Sequence, residues 1–307
     1  MISIIVGVEE TDRSEDAIAF ARRLREASGA QITLASAFPY DNHPSRMAHG
    51  AYRDYLRGDA QATLDRMAKG LKGVEHVVTV AIADTSPARA LQELAERDGA
   101  ALVVLGSSHR GTLGRVLAGT TAERLLHGAP CPVAVVPFGF RTRADAPIKT
   151  IAVGHDGSAE AEEALSAAVT TAQALGAELR VVCVYSAVEY PTVSVLGAPG
   201  YVRPPQDLRR FAQETLNAAV AAVRERVETE SVFVSGDAVS DLVEQSKRAD
   251  LLFLGSRGYG PHRAVLLGSV SGRVVREAEC PVIVVPRKVK APLESLFPVP
   301  EGLLAGA

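Results

Sequence analysis

Short, uninterrupted apolar runs alternate with longer amphipathic segments along most of the chain. Runs such as residues 2–8 and 251–254 are typical of strands buried on both faces of a parallel sheet. Segments such as the one that begins near Ser14 carry apolar residues at helical spacing instead, and the alternation of the two patterns predicts a doubly wound α/β fold.

The pattern predicts the following elements. In the first half we expect strands at 2–8, 31–38, 77–83, 101–105 and 132–137, and helices from about Ser14, over 51–72 and near 87–97. In the second half we expect strands at 150–155, 178–185, 231–235, 251–254 and 282–285, and helices over 158–175, 207–227 and 237–247 and from Ser269. Residues 138–147 are predicted to be a polar linker, and 186–206, with four prolines, a long irregular loop.

One stretch of the chain occurs twice. Residues 106–137 (GSSHRGTLGRVLAGTTAERLLHGAPCPVAVVP) align without a gap with residues 255–286 (GSRGYGPHRAVLLGSVSGRVVREAECPVIVVP), and 14 of the 32 positions are identical. The beginnings IIVG and IAVG, at residues 4–7 and 151–154, match as well. The repeat predicts two copies of one domain, at residues 1–140 and 148–287. The tail at 288–307 is expected to be mobile or loosely docked, with docking of Leu296-Phe297 and Leu303-Leu304 on a neighbour as the alternative.

The glycines of the second copy suggest an anion site. Gly255, Gly258 and Gly268 follow a predicted strand, and Ser269 is predicted as the N-cap of the next helix. Backbone N–H groups at such a helix end bind anions, and glycines let a phosphate approach the main chain. The spacing is neither that of a Walker loop nor that of a Rossmann fingerprint. The loop by itself leaves a phosphate site and a structural turn as alternatives.

Three motifs that occur together and in order carry a family resemblance. They are IAVGHDGS at the head of the second copy, the spacing G-2x-G-9x-G-S late in it, and the closing CPVIVVP. On these motifs the chain resembles the universal stress protein family in its tandem (UspA-like) form, over residues 1–137 and 148–286. The resemblance implies two five-stranded parallel sheets flanked by helices, of the adenine nucleotide alpha hydrolase-like type. It also implies bound ATP in one subgroup, with Mg²⁺ as a candidate companion ion.

The resemblance further implies a nucleotide site in the second copy. Asp156 is expected beside the adenine or ribose, although its place before a helix suits an N-cap equally well. Gly255, Arg257 and Gly258 are expected to surround the ribose and phosphates, with a solvated loop residue as the alternative for Arg257. The implied site residues are Gly154, His155, Asp156, Val184, Leu254, Gly255, Arg257, Gly258, Gly268, Ser269, Val270 and Ser271.

The first copy departs from the family pattern. Glu9 replaces the aspartate, Glu10 the following glycine and His109 the middle glycine. A side chain at residue 109 obstructs a phosphate, and added carboxylates repel one. We therefore expect a weak or empty first site, whose candidate residues are Glu9, Ala37, Gly106, His109, Gly119 and Thr120.

Composition limits the function further. The 33 basic and 36 acidic residues are well mixed, so we expect neither a nucleic-acid nor a membrane partner. Three cysteines make no disulfide framework, and the absence of a signal peptide and of long apolar runs predicts a cytoplasmic protein.

The function we expect is a stress-response or signalling module. It binds ATP mainly in the second copy and acts through nucleotide-dependent conformation or partner binding. No nucleophile–base pair is evident, so no catalytic residue and no separate metal site are predicted. A slow ATPase and a nucleotide-free scaffold remain the alternatives.

Each copy ends in a short apolar strand that would be an exposed sheet edge in an isolated domain. The family resemblance implies that the last strands of two domains meet antiparallel across a two-fold axis. Because both copies lie on one polypeptide at high effective concentration, we predict that Val133–Val136 and Val282–Val285 pair in this way within the chain. A domain-swapped dimer is the competing outcome, and any further homodimer would use other surfaces.

Overall fold

The computed structural model of the chain describes residues 2–40, 50–107, 120–185, 190–193, 199–202, 206–256, 269–286 and 293–297. No helix within these ranges is both long enough and apolar enough to cross a membrane.

The first half alternates strands and helices, as the hydrophobic pattern predicts. Its elements are β1 (Ser3–Gly7), α1 (Asp12–Ser28), β2 (Gln31–Phe38), α2 (Gly50–Ala68), a 3₁₀ helix (Lys69–Leu71), β3 (Val77–Ala83), α3 (Pro87–Asp98), β4 (Leu102–Gly106), α4 (Thr120–Leu126) and β5 (Val133–Val136). Left-handed glycines, Gly29 and Gly99, end α1 and α3 and donate their N–H groups to carbonyls of the last helical turn.

The second half repeats this order with one addition. Its elements are β6 (Thr150–Gly154), α5 (Ala159–Leu175), β7 (Glu178–Tyr185), β8 (Tyr190–Val193), β9 (Pro199–Val202), α6 (Gln206–Val223), β10 (Thr229–Ser235), α7 (Ala238–Ser246), β11 (Leu251–Gly255), α8 (Ser269–Glu277) and β12 (Val282–Val285). The addition is an antiparallel hairpin of β8 and β9. The prediction of a wholly irregular loop over residues 186–206 is therefore wrong.

All described strands except β8 and β9 form one sheet in the order β10-β7-β6-β11-β12-β5-β4-β1-β2-β3. Within each half the five strands are parallel. The order β3-β2-β1-β4-β5 of the first half recurs as β10-β7-β6-β11-β12. This confirms the predicted α/β fold with a parallel sheet flanked by helices.

The two halves join through their last strands. β5 and β12 lie antiparallel at the centre of the sheet, with Val133 opposite Val284 and Val135 opposite Val282. All four side chains are buried. The predicted pairing of the two copies within one chain is confirmed, and the sheet is continuous where two separate sheets would each leave an edge.

Helices cover both faces of the sheet. The core on one face contains residues of α1, α2, α5 and α6, and the core on the other contains residues of α3, α4, α7 and α8. Each core includes residues of both halves. An ion pair also crosses the junction: Nη2 of Arg276 in α8 lies 2.9 Å from Oε1 of Glu123 in α4.

The connection between the halves is an ordered part of the core. A 3₁₀ helix (Phe140–Arg143), here called the linker helix, packs on α1, and the Phe140 ring meets Phe20 edge to face with centroids 5.6 Å apart. The carboxylate of Asp16 in α1 is fully buried and accepts 2.8 Å hydrogen bonds from the backbone N–H groups of Gly139 and Arg141. The linker is polar in sequence as predicted, but it is an ordered segment docked on α1, which its sequence did not indicate.

Part of the C-terminal tail also docks on its own chain. A 3₁₀ helix (Leu293–Leu296) contacts α5, and Leu293, Leu296 and Phe297 are buried in the core on that face. The expectation of a mobile or loosely docked tail is wrong for these residues, because their apolar side chains complete the cover of α5.

Candidate functional site

A cleft of about 260 Å³ lies at the carboxyl edge of the second half. The ends of β6, β7 and β11 and the first turns of α5, α7 and α8 border it. Since α5 lies on one face of the sheet and α7 and α8 on the other, the cleft sits at the switch point where α/β folds bind ligands. The described residues that line it are Gly154, His155, Asp156, Ser158, Glu160, Ala161, Val182, Val184, Ala238, Leu242, Leu254, Gly255, Val270 and Ser271.

The cleft brings together most of the residues that the motifs point to. These residues are Gly154, His155, Asp156, Val184, Leu254, Gly255, Val270 and Ser271. The predicted residues Arg257, Gly258 and Gly268 lie outside the described ranges. Ser269 is exposed at the start of α8, next to two lining residues.

The N-terminal turn of α8 borders the cleft with Val270 and Ser271. Helix α8 begins at Ser269 itself, one residue earlier than the predicted N-cap assignment requires, which is within the usual variation of helix boundaries. The first N–H groups of a helix lack partners within it, and the helix dipole favours negative charge there. This turn therefore gives the cleft an end suited to an anion.

The turn between β6 and α5 shapes one wall. The Asp156 carboxylate accepts a 3.1 Å hydrogen bond from the N–H of Ser158, and the Ser158 hydroxyl accepts one of 3.2 Å from the N–H of Ala161. Ser158 is therefore the N-cap of α5, so the N-cap alternative for Asp156 is wrong. Gly157 has a φ of 78°, a left-handed conformation that favours glycine, and holds the exposed Asp156 at the rim of the cleft.

Gly255 has a packing role that the phosphate-loop interpretation did not include. A Cβ atom at this residue would lie 2.6 Å from the carbonyl carbon and oxygen of Glu160. The first turn of α5 therefore crosses directly over the end of β11, and only glycine fits beneath it. Gly106 of the first half is equally close to the Arg13 carbonyl of α1.

His155 places a polar ring where the first half has the buried Val8. Its backbone N–H donates to the Val182 carbonyl at 2.8 Å, and its Nε2 lies 3.1 Å from Glu162 Oε1. The ring is almost fully buried, and its Nδ1 has no hydrogen-bond partner among the described residues. The contact with Glu162 ties the end of β6 to α5.

The described lining carries more acid than base. Asp156 and Glu160 are its carboxylates, and it includes neither lysine nor arginine. Burial, and then the charge of Asp156, raise the pKa of the nearby Cys183 thiol. Burial likewise raises the pKa of Cys131 and of Cys280 to about 12, so these thiols stay protonated at neutral pH.

The part of the chain that the structure describes holds no cluster of three or more histidine, cysteine, aspartate or glutamate side chains that would bind a metal ion by itself. Oxygen ligands suit Mg²⁺, and the cleft offers Asp156 and Glu160. Mg²⁺ would therefore fit here only if a bound molecule, such as a nucleotide phosphate, supplied further oxygens.

Sequence reasoning missed several lining residues, namely Ser158, Glu160, Ala161, Val182, Ala238 and Leu242. Most of them lie in the first turns of α5 and α7. The available signal is topological: a helix that follows a parallel strand begins at the carboxyl edge of the sheet. Asp237, whose side chain caps α7 through a 2.9 Å bond from the Ser240 N–H, marks one such beginning.

The corresponding region of the first half differs in charge and shape. The Oε1 atom of Glu9 lies 3.5 Å from Nη1 of Arg13, and the Glu10 carboxylate contacts the Arg66 guanidinium. Each of the two carboxylates therefore already has an arginine partner. Arg13 occupies the position of Glu160, and Ala122 that of Ser271.

The remaining candidates of the first site also have definite positions. Ala37 lies in β2, Gly106 ends β4 and Thr120 begins α4. His109 and Gly119 fall outside the described ranges.

The sequence is similar to known proteins along most of its length. A model of the universal stress protein family matches residues 1–137 and 147–286. A universal stress protein of Mycobacterium tuberculosis is 30% identical over 294 residues, which cover 92% of this chain and 96% of the relative. One from Mycolicibacterium smegmatis is 30% identical over 292 residues with the same coverage. A crystal structure of a universal stress protein from Archaeoglobus fulgidus has a TM-score of 0.70 at 19% identity, covering 93% of this chain and 98% of that one.

Proposed function

The chain belongs to the universal stress protein family, and on that basis we propose that the cleft of its second half binds an adenine nucleotide. One observation carries the proposal. The ends of three strands and the first turn of α8 converge on a single cleft, so an apolar pocket and an anion-binding helix end lie side by side.

The walls suit a nucleoside. Val182, Val184, Leu242 and Leu254 supply apolar contacts, and the polar groups are few and grouped at α5 and α8. Small-molecule sites have this composition, with volumes of roughly 300–1,000 Å³. The cleft, at about 260 Å³, lies just below that range and suits a base and ribose, with the phosphates extending toward α8.

ATP is the nucleotide that we propose, with Mg²⁺ held by its phosphates. Asp156 is exposed beside the cleft, and we propose that it contacts the adenine or ribose, as the resemblance implies. The proposed role of the protein is a stress-response or signalling module in which nucleotide occupancy changes conformation or partner affinity. A binding role is preferred to catalysis because the sequence shows no Walker lysine and no nucleophile–base pair.

We further propose that the second half binds nucleotide at least tenfold more tightly than the first. Ser271 offers a hydroxyl where Ala122 offers none, and Gly157 allows a turn that Glu10 does not adopt, since Glu10 has no positive φ.

The test is calorimetric titration of the full chain with ATP, ADP and AMP, with and without Mg²⁺. Val270→Phe fills the cleft from the first turn of α8 and is expected to weaken ATP binding at least tenfold. Thr121→Phe, at the equivalent position of α4, is the matched control and is expected to leave the affinity unchanged. If the wild-type protein bound no adenine nucleotide, the proposal would be wrong and the nucleotide-free scaffold would be favoured. Equal losses in the two variants would contradict the assignment to the second half.

A further inference from the structure

The strand β3 forms one end of the sheet and leaves one side unpaired. Among the described strands only β2 pairs with it, over all seven residues from Val77 to Ala83. Its residues are half-buried along the strand, and Val78 is 40% exposed. Unpaired N–H and C=O groups along such an edge are a template for another strand.

β3 also lacks the features by which proteins normally protect an edge. Its sequence, VVTVAIA, contains no charge and no proline, and β-branched residues predominate. The opposite end of the sheet, β10, carries Glu230, whose carboxylate lies 2.7 Å from Arg180 Nε. The two end strands of the described sheet therefore differ, and β3 is the one without a charged residue.

The hydrogen bonds to β2 show which groups of β3 point outward. The His76 carbonyl accepts from the Ile32 N–H at 3.1 Å, and the Asp84 N–H donates to the Phe38 carbonyl at 3.0 Å. Even-numbered residues therefore direct their backbone groups toward β2. Because the direction alternates along a strand, Val77, Thr79, Ala81 and Ala83 direct theirs away from the sheet.

We propose that this edge is the docking surface for a second copy of the chain, with the two β3 strands antiparallel about a two-fold axis at Val80. In this register Thr79 faces Ala81 of the other copy, and Val77 faces Ala83. Both residues of each pair are outward-directed, so each pair exchanges two backbone hydrogen bonds. The two-fold axis repeats both pairs, and the junction gains about eight bonds in all. The dimer has one continuous sheet across both chains.

The same register matches the side chains. Val78 lies opposite Ile82 of the other copy, and Val80 lies opposite itself. Residues 80 and 82 pack against the core on the face of α3, so this side of the strand is apolar. The Val78–Ile82 and Val80–Val80 pairs are non-hydrogen-bonded pairs, in which side chains approach most closely. The pairing therefore covers the exposed Val78.

Symmetry and charge favour a second copy over another protein. A two-fold axis pairs the strand with itself, and an uncharged strand meets no like charge in doing so. The flanking residues add no like-charge pair, because Glu75 comes opposite Thr85 and the Asp84 carboxylate is already paired with Arg89. The chain already uses antiparallel pairing of equivalent apolar strands where β5 meets β12.

The first test is the mass of the full chain in solution by sedimentation velocity at micromolar concentration. Wild-type protein is expected at about twice the chain mass of 32.3 kDa. Val78→Lys introduces two charges on the apolar side of the junction and is expected to give a folded monomer. Residue 78 is exposed in the single chain, so the melting temperature should fall only by the stabilisation that association adds. Val78→Thr keeps the β-branched shape without charge and is expected to remain dimeric. A monomeric wild type, or a dimer that survives Val78→Lys, overturns the proposal.

The second test addresses the register and does not depend on the stability of the lysine variant. Opposed residues in a non-hydrogen-bonded pair have Cα atoms about 4.5 Å apart, within disulfide range. Val80→Cys is therefore expected to give a disulfide-linked dimer on mild oxidation, because the native cysteines are buried. In Val78→Cys the two thiols are separated by four residues, roughly 13 Å along the strand, and no cross-link is expected. Cross-linking of Val78→Cys but not of Val80→Cys would exclude this register.

Discussion

Gly255 belongs to the proposed nucleotide site and also to the packing of the sheet against α5. Sequence reasoning assigned it to the ribose and phosphates, because glycine spacing was the visible signal. Its backbone does border the cleft, yet its missing Cβ leaves room for the Glu160 carbonyl. Helix–sheet packing of this kind depends on which helix crosses which strand, and a single sequence does not contain that information.

The first prediction at the residue scale separates these two roles. We expect Gly255→Ala to lower the free energy of unfolding of the nucleotide-free chain by about 1–3 kcal/mol, because the added methyl overlaps backbone atoms that cannot rotate away. Gly58→Ala, in α2 with no atom within 4 Å of its Cβ, is the control and should stabilise the chain by up to about 1 kcal/mol. Urea denaturation measures both. An unchanged stability in Gly255→Ala would mean that the residue serves the ligand alone.

A second residue-scale prediction concerns acid. The carboxylate of Asp84 is buried and accepts hydrogen bonds of 2.7 and 2.8 Å from the Arg89 guanidinium and of 2.7 Å from the Ser86 N–H. The Arg89 hydrogen bond lowers the pKa of Asp84 below its ordinary value of 3.8, although burial acts in the opposite direction. A lowered pKa in the folded state means that the unfolded chain binds the proton first. The stabilisation is therefore complete above pH 3.8 and is lost as the pH falls through the folded-state pKa.

We therefore expect Asp84→Asn to be less stable than wild type at neutral pH and to lose less stability on acidification below pH 3.8. Asp54→Asn, which removes an exposed carboxylate of α2, is the control for the loss of one charge. Thermal melts between neutral pH and about pH 3 measure the difference. Parallel pH curves for wild type and Asp84→Asn would contradict the ion-pair account.

At the scale of elements, the sequence predicted what repeats and missed what is local. The strands and main helices follow from hydrophobic period, and their order recurs at a near-constant offset in the two halves. The β8–β9 hairpin falls in a proline-containing stretch without alternation, so periodicity gave no signal. The linker helix was missed because only one of its four residues is apolar, and its order comes from contacts with α1.

The linker helix provides the element-scale prediction. Asp16→Ala removes the carboxylate that receives the N–H groups of Gly139 and Arg141 and leaves both without that acceptor. Hydrogen bonds to charged groups contribute about 1.5–3 kcal/mol each, so we expect a loss of roughly that size in unfolding free energy. Hydrogen exchange is expected to accelerate at residues 139–143 and to stay unchanged at β3. Asp12→Ala, which removes an exposed partner of Arg141, is the control and should change stability by less than about 1 kcal/mol. Equal effects in the two variants would show that Asp16 does not anchor the linker.

The whole molecule depends on the junction of β5 and β12. Two parallel half-sheets would each present an apolar, uncharged four-residue edge, and antiparallel pairing removes both edges within one chain. Family resemblance together with the edge argument was sufficient to predict this pairing. The sharing of both cores by the two halves was not predicted, and the linker and tail helices contribute residues to only one of the two cores.

The last prediction tests the junction. Val284 is 1% exposed and pairs with Val133 of the other half, so Val284→Lys places a charge without a partner in the centre of the sheet. We expect a loss of about 3–5 kcal/mol in unfolding free energy, lower solubility, and faster hydrogen exchange at β5, which lies in the half that is not mutated. Val284→Thr keeps the shape of the side chain without charge but buries a hydroxyl, so we expect a smaller loss of about 1–3 kcal/mol and a smaller change of exchange at β5 than in Val284→Lys. If Val284→Lys kept the wild-type melting temperature, solubility and β5 protection, this strand would not be what joins the two halves.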